Sequence, residues 1–360
     1  MIKLNQPERK EGTLMELHCH TIYSNYNNSG WFPMDCSITP RQLLDALYAK
    51  GIDAVFITDH NTLEGVKQTI AEAKVHEKFK NIRVYPGIEI SASLPNHKPG
   101  HVSAYGINEA VRQGLPVKET ILNLKDQGAV TLAPHPYAVY CAIRDTAKDC
   151  DLIEGFNSQN ADIDSNVAAH YAAEKWKKFE TAGSDAHLES SIGSCLTRVK
   201  AENNLEDILN ALRRGQFNVE KVRYTSAEEY SATLCYMLSE PAALLGNIRK
   251  SYGGVADFVE YIIKKHRKNP DAWWVAPVMK LIRAQAKGLS MKVNLLGYPE
   301  ELLTSSWGKR IYASFSPPSK NASLDSEIYS AGWSKINNYN YKHPEFMINT
   351  NNRNLQHSAD

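Results

Sequence analysis

Ala54-Val55-Phe56-Ile57-Thr58-Asp59-His60-Asn61-Thr62-Leu63-Glu64 is the stretch on which the fold turns. Four apolar residues, two β-branched and one aromatic, read as a short strand. A polar turn carrying Asp59 and His60 follows, and Glu64–Lys78 fits a helix. The same unit recurs along the first 220 residues. Strands are expected at Leu14–Leu17, Ala54–Ile57, Ile82–Ile90 (broken by Pro86-Gly87), Val102–Tyr105, Ala129–Leu132, Leu152–Phe156 and Phe179–Ala182. Thr39-Pro40 supplies an N-cap and a first-turn proline, Leu43, Leu44 and Leu47 form an apolar stripe, and Gly51 closes that helix. Further helices fit Val117–Gln127, Asn166–Lys178 and Leu205–Arg214. Strands repeatedly followed by helices imply parallel pairing through right-handed crossovers. So many units predict a closed or nearly closed barrel. No GxGxxG or GxxxxGK[ST] loop occurs, which weakens nucleotide-cofactor and P-loop readings.

The composition fits this reading. The 360 residues are 42% hydrophobic and 22% charged, which excludes wholesale disorder, collagen and coiled coil. No apolar run is long enough to cross a bilayer, and the first residues lack a signal peptide's hydrophobic stretch. Six cysteines (19, 36, 141, 150, 195, 235) show no paired spacing, so a reducing cytoplasm is the expected location. Charge is uneven. Residues 1–220 carry 23 Lys and Arg against 28 Asp and Glu, whereas residues 221–360 carry 18 against 12. An acidic front suits metal ligands, and a basic back suits a polyanion or a docking surface.

After Gly215 the texture changes. Residues 221–305 hold helix candidates near Ala227–Arg249, Val255–Lys268 and Ala272–Lys287, expected to form a helical accessory region. From about 306 to 360 the chain is rich in Asn, Ser, Tyr and Pro, and an irregular, partly disordered tail is expected.

The chemistry lies in the front half, in five segments. They are Glu16-Leu17-His18-Cys19-His20, Thr58-Asp59-His60, Gly87-Ile88-Glu89, Pro134-His135-Pro136 and Gly183-Ser184-Asp185-Ala186-His187. Each falls at or just beyond the C-terminal end of an expected strand, the face on which β/α barrels build their sites. A lone histidine at a strand end is usually structural. Six of twelve histidines (18, 20, 60, 101, 135, 187) converging on one rim is a ligand set. Imidazole with carboxylate suits Zn, Mn or Fe better than Ca or Mg.

This ordered series, from His-x-His to Gly-Ser-Asp-x-His, resembles the polymerase and histidinol phosphatase (PHP) superfamily of metal-dependent phosphoesterases across residues 13–220. The Ile153-Glu154-Gly155-Phe156-Asn157 stretch and the helix after Ile192-Gly193 belong to the match. The resemblance implies an α/β fold, a distorted (β/α)7 TIM-like barrel, with the mostly helical extension C-terminal to it. It implies a cluster of about two or three divalent ions. His18, His20, Glu89 and Asp185 would hold one. Glu89, as the bridge, would hold a second with His101 and His135. His60 and His187 would hold a third with a residue from the first loop. Glu89, Asp185 and His187 are the expected catalytic residues.

One departure concerns that first loop. Where the family reads Ser-Asp, this chain has Ser24-Asn25, and Asp35-Cys36-Ser37 follows ten residues later. Asn25–Met34 then reads as an insertion, with Asp35 as the displaced ligand or else a surface residue. Asp59, beside a ligand, is expected to orient rather than bind, and Cys19 to point away into the barrel wall. Arg144 is the candidate for bidentate contact with a phosphate, and Trp31, Phe32 and Tyr137 either stack on a base or pack the inserted loop. No Ser or Cys nucleophile sits with a partnered base.

The function implied is a metal-dependent phosphohydrolase acting on a phosphate ester, with a nucleotide or nucleic-acid 5′ end as the favoured substrate. A histidinol-phosphatase-like metabolite phosphatase, a non-catalytic binding module, and amide or ester hydrolysis are the alternatives. No membrane partner is expected.

Overall fold

A computed structural model of the chain describes residues 11–26, 36–94, 99–138, 141–160, 163–225 and 229. The helical region and tail expected beyond residue 225, together with Trp31, Phe32 and Asp35, lie outside the described residues apart from Glu229. The strands are β1 (Thr13–Cys19), β2 (Ala54–Ile57), β3 (Arg83–Ser93), β4 (Pro99–Tyr105), β5 (Val130–Ala133), β6 (Leu152–Asn157), β7 (Phe179–Gly183), β8 (Leu196–Val199) and β9 (Phe217–Lys221). The α-helices are α1 (Pro40–Ala49), α2 (Glu64–Val75), α3 (Val117–Asp126), α4 (Ile163–Trp176) and α5 (Leu205–Arg213).

The strands form one sheet in the order β7-β6-β5-β4-β3-β2-β1-β8-β9. It nearly closes. Just past β7, Asp185 donates its N–H to His18 O (2.7 Å) and Ala186 O accepts from His20 N–H (3.0 Å). The last residues of the first and seventh strands therefore share one rim. An apolar cluster of Met15, Leu17, Phe56, Tyr105, Leu132 and Leu152 reaches Ile208, Leu209 and Leu212 of α5. A second joins the outer faces of β1 and β2 to α1, and a third joins β3 and β4 to α3.

Local chemistry explains the elements. Thr39 and Gln42 form a reciprocal capping box, Pro40 opens α1, and Leu43, Leu44 and Leu47 are fully buried. Each such leucine contributes roughly 1.5–3 kcal/mol relative to exposure. Asn204 caps α5 through the N–H of Asp207. Gly51, with φ 64°, provides the left-handed residue that turns the chain after α1.

Strand direction departs from the uniform parallel pairing expected. β3 pairs parallel with β2 through Arg83–Pro86 and antiparallel with β4 through Gly87–Ser93, and β4–β5 is also antiparallel. No helix separates β3 from β4 among the described residues. The strand also runs unbroken through Pro86-Gly87. Pro86 stands where β3 passes from one partner's ladder to the other's, so its missing N–H is tolerated.

The strands β8 and β9 lie beyond the seven expected. β8 closes antiparallel onto Thr13–Met15 of β1, and β9 pairs with β8. β9 is an edge strand, mostly exposed, in which only Phe217 and Val219 are apolar. A bidentate pair from Arg198 to Glu220 (2.8 and 3.1 Å) ties the two together. A bulge between Glu16 and Cys19 shifts β1's alternation. Met15 and Leu17 join the cluster with α5, whereas Cys19, beyond the bulge, joins the layer under α1 and so points away from the site, as expected.

Candidate metal centre

The barrel rim gathers ligand candidates from six strands and the loops after them. His18 and His20 close β1, His60 follows β2, Glu89 lies within β3, and His101 within β4. His135 follows β5, and Asp185 and His187 follow β7. The backbone is left-handed at Asn61 (φ 58°), His135 (φ 30°) and Asp185 (φ 48°), where the strands turn into these loops. Non-glycine residues adopt that conformation at a cost of about 1–3 kcal/mol, and such positions cluster at functional sites.

Glu89 is the centre of the constellation. Its Oε1 lies 2.8 Å from His101 Nδ1 and 3.1 Å from His135 Nε2. Its Oε2 lies 3.4 Å from His18 Nε2, 3.2 Å from His20 Nε2 and 3.6 Å from His60 Nδ1. Asp185 Oδ1 faces the same two nitrogens of His18 and His20 at 3.4 and 3.2 Å. His187 donates its Nδ1–H to the Asp185 carbonyl at 2.7 Å, which leaves Nε2 as the nitrogen able to ligate or accept a proton. Apart from His187, these groups are buried.

Electrostatics follow from that packing. Burial opposes the Glu89 anion, yet His101, His18 and His60 hold its carboxyl well below the usual range. Burial likewise opposes the His18 cation, and Asp185, Glu154 and Glu89 outweigh it, raising that pKa well above the ordinary value.

Outer contacts hold the rim in place. Asp59 accepts the N–H and the hydroxyl of Thr21, both at 2.6 Å, and touches no carboxylate of the centre. Burial pushes its carboxyl up to about 6 against the pull of His20 and Thr21. Ser24 Oγ accepts the His60 N–H at 2.9 Å and lies 3.1 Å from His20 Nδ1. Glu16 ties β1 to the loops after β7 through the N–H groups of His18 (3.2 Å) and Gly193 (2.8 Å) and through Ser184 Oγ. Glu154 reaches His18 Nδ1 at 2.8 Å and accepts the His135 N–H at 2.7 Å. The roles of Glu16, Ser24 and Glu154 are not read from the sequence. The signal for Glu154 is a carboxylate within the otherwise apolar Leu152–Phe156 strand.

Three groups of donors lie close enough to share an ion: His18, His20, Glu89 and Asp185; His60, Glu89 and His101; and His20, His60 and His187. The first coincides with the set expected for one ion. In the other two, His60 stands nearer Glu89 and His101 than the expected partition places it, and His135 meets Glu89 Oε1 from the other side. Whether the residues fit a metal is answered by their ring nitrogens. His20 Nε2 is buried without a hydrogen-bond partner of acceptable geometry, although two carboxylates approach it. Buried imidazole nitrogens of this kind are costly unless a cation occupies the space they face. The donor set fits Zn, Mn or Fe.

The remaining candidates are placed as follows. Asn25 binds no rim residue; its amide clamps Cys36, donating to the carbonyl (2.7 Å) and accepting the N–H (3.0 Å). It thus ties together the two ends of the segment read as inserted. Arg144 opens a 3₁₀ turn with φ 48° and donates its backbone N–H to Pro136 O at 2.9 Å, which sets it against the His135 loop. Tyr137 is fully buried and donates to Asp145 at 3.2 Å, so it packs rather than stacks.

Comparison with known proteins places this geometry. A protein of Methanocaldococcus jannaschii, Uncharacterized protein MJ1587, is 38% identical over 160 residues, covering 42% of this chain and 87% of that one. The PHP-associated family matches residues 164–217, which run from α4 to the start of β9. The chain belongs to the PHP superfamily. Among solved structures, PsfC from Pseudomonas syringae aligns with a TM-score of 0.42 at 14% identity, over 64% of this PHP chain and 100% of that one. A protein assigned as a metal-dependent phosphoesterase from Bifidobacterium adolescentis aligns at 0.38 and 16%, over 63% and 97%. The PHP chain's described residues contain no helix long and apolar enough to cross a membrane, and no disulfide links its described cysteines.

Proposed function

We propose that this PHP protein is a cytoplasmic metal-dependent phosphohydrolase, acting on the phosphate ester of a nucleotide or a nucleic-acid 5′ end. The observation that carries the reading is Glu89, one carboxylate facing five histidines at 2.8–3.6 Å. One divalent ion would be held by His18, His20, Glu89 and Asp185, and others by Glu89 with His101 and His135 and by His60 and His187 with Asp35. Such ions, when bound, lower the pKa of a coordinated water towards neutrality and offset the charge of a phosphoryl group.

The chain's own residues do the rest. Glu89 and Asp185 keep the imidazoles of β1 converged. His187, anchored through Nδ1 on the Asp185 carbonyl, offers Nε2 for a ligand or a proton. Arg144, set beside the His135 loop, contributes a planar fork that matches phosphate oxygens. The burial of the centre excludes bulk water from all but its outer edge.

The test is hydrolysis of p-nitrophenyl phosphate, nucleoside monophosphates, a 5′-phosphorylated oligonucleotide and histidinol phosphate by protein supplied with Zn or Mn. Metal-dependent release of phosphate from the nucleotide substrates is expected. Preference for histidinol phosphate moves the assignment to a metabolite phosphatase. Metal-loaded, folded protein that releases no phosphate from any of them overturns the reading.

A further inference from the structure

We infer that Glu154, on β6, is the positioning residue of the metal centre, fixing His18 in the tautomer that presents a lone pair at Nε2. The inference rests on the metal-dependent reading above. The two oxygens of Glu154 have different partners. Oε2 accepts the backbone N–H of His135 and the Nδ2–H of Asn157, both at 2.7 Å. Two N–H donors fill it, so it carries no proton. Oε1 lies 2.8 Å from His18 Nδ1, and with the Glu154 carboxylate ionised Nδ1 is the donor of that bond. A neutral, ligating His18 then presents its lone pair at Nε2, 3.4 Å from Glu89 Oε2 and 3.4 Å from Asp185 Oδ1.

The same group reaches three strands. Asn157, held by Glu154, extends a second contact to Asp185 Oδ2 at 3.1 Å. One buried carboxylate thus sets the relative positions of His18 from β1, the His135 loop after β5 and Asp185 after β7. Gly183 makes room for it: a Cβ there would overlap Glu154 Oε1 and come within 2.7 Å of the His18 Cβ. Metal-ligating histidines are oriented by such outer hydrogen bonds, whose removal typically lowers metal affinity about 10–100-fold.

Glu154→Gln separates positioning from packing because it keeps the shape. The two donors at the Oε2 position require the amide oxygen there, so the amide nitrogen faces His18 Nδ1. His18 must then accept at Nδ1 and carry its proton on Nε2, where it cannot ligate. Zinc affinity is measured by competition with a chromophoric chelator for wild type, Glu154→Gln, Glu154→Ala and Gly183→Ala. The His18 tautomer is read from imidazole ¹⁵N shifts. We expect Glu154→Gln to bind zinc about 10–100-fold more weakly than wild type and no better than Glu154→Ala, with Gly183→Ala losing affinity in the same direction. Glu154→Gln binding between wild type and Glu154→Ala, the order that packing alone gives, overturns the inference. If Glu154→Ala fails to fold, the ¹⁵N signature decides: a proton on Nε2 in Glu154→Gln supports it, and a proton retained on Nδ1 refutes it. Wild type that binds zinc while Glu154→Gln binds it equally sinks this inference alone. Wild type that binds none sinks the metal reading as well.

Discussion

Gly65→Ala sets two effects of opposite sign against each other. Gly65 is the second residue of α2, and replacing a helical glycine by alanine gains up to about 1 kcal/mol. Here a methyl group would overlap Asp59 Oδ2 and Thr21 Oγ1. Asp59 cannot simply swing away, because Thr21 holds it through two bonds of 2.6 Å. Both Thr21 groups donate to this one carboxylate, and bonds to a carboxylate are charge-assisted. Overpacking costs about 1–3 kcal/mol and displacing one such bond about 1.5–3 kcal/mol, so after the helix gain the net is a loss of roughly 1.5–5 kcal/mol. The assay is urea unfolding followed by tryptophan fluorescence, together with a zinc titration. The expected result is a lower midpoint and weaker zinc binding, since Thr21 and Asp59 adjoin His20 and His60. A midpoint equal to or above wild type would refute the close approach of α2 to the rim.

Asp35→Ala is expected to lose about one metal equivalent or a large part of the rate, as removal of a direct ligand does; unchanged metal content and rate would return Asp35 to a surface role. Arg144→Ala should raise KM for a phosphate ester by about tenfold with little change in zinc affinity, the effect of losing one charge-assisted contact, and steady-state kinetics beside a zinc titration check it. Burial raises the Asp151 carboxyl, but the ion pair to Lys125 (2.8 Å) and the N–H and hydroxyl of Thr131 (2.9 and 2.8 Å) outweigh it and depress its pKa. Its stabilising contribution is therefore present above the unfolded value near about 3.9 and is lost as pH falls through the folded one. Urea midpoints from about pH 5 down to about pH 3 should fall less steeply in Asp151→Asn than in wild type.

Periodicity and strand-end placement made much of the barrel legible. Ala54–Ile57 is a strand to the residue, because four apolar positions between turn residues leave no other choice. α1 carries its cap, proline and leucine stripe in plain sequence. The β3–β4 reversal is invisible because buried strands look alike whichever way they run. β8 and β9 each carry only two apolar residues among polar ones and do not announce themselves. At the centre, the convergence of His18, His20, Glu89 and Asp185 followed from motif order, since each motif was expected at a strand end on one rim, although β3 runs on past Glu89. The contact of His60 with Glu89 and His101 depends on loop conformation, as does the clamp of Asn25 on Cys36. Glu154 stayed hidden for another reason. Its role exists only through Oε1 and Oε2 reaching residues on other strands.

The most direct test of the central claim is elemental analysis of full-length protein purified without chelators, alongside Glu89→Gln prepared in the same way. The account predicts about two to three equivalents of a divalent transition metal in wild type. It predicts a large loss in folded Glu89→Gln, because that side chain faces every ligand-bearing strand from β1 to β5. Wild type carrying no stoichiometric metal after supply with Zn, Mn and Fe, or Glu89→Gln retaining the full complement, would contradict it.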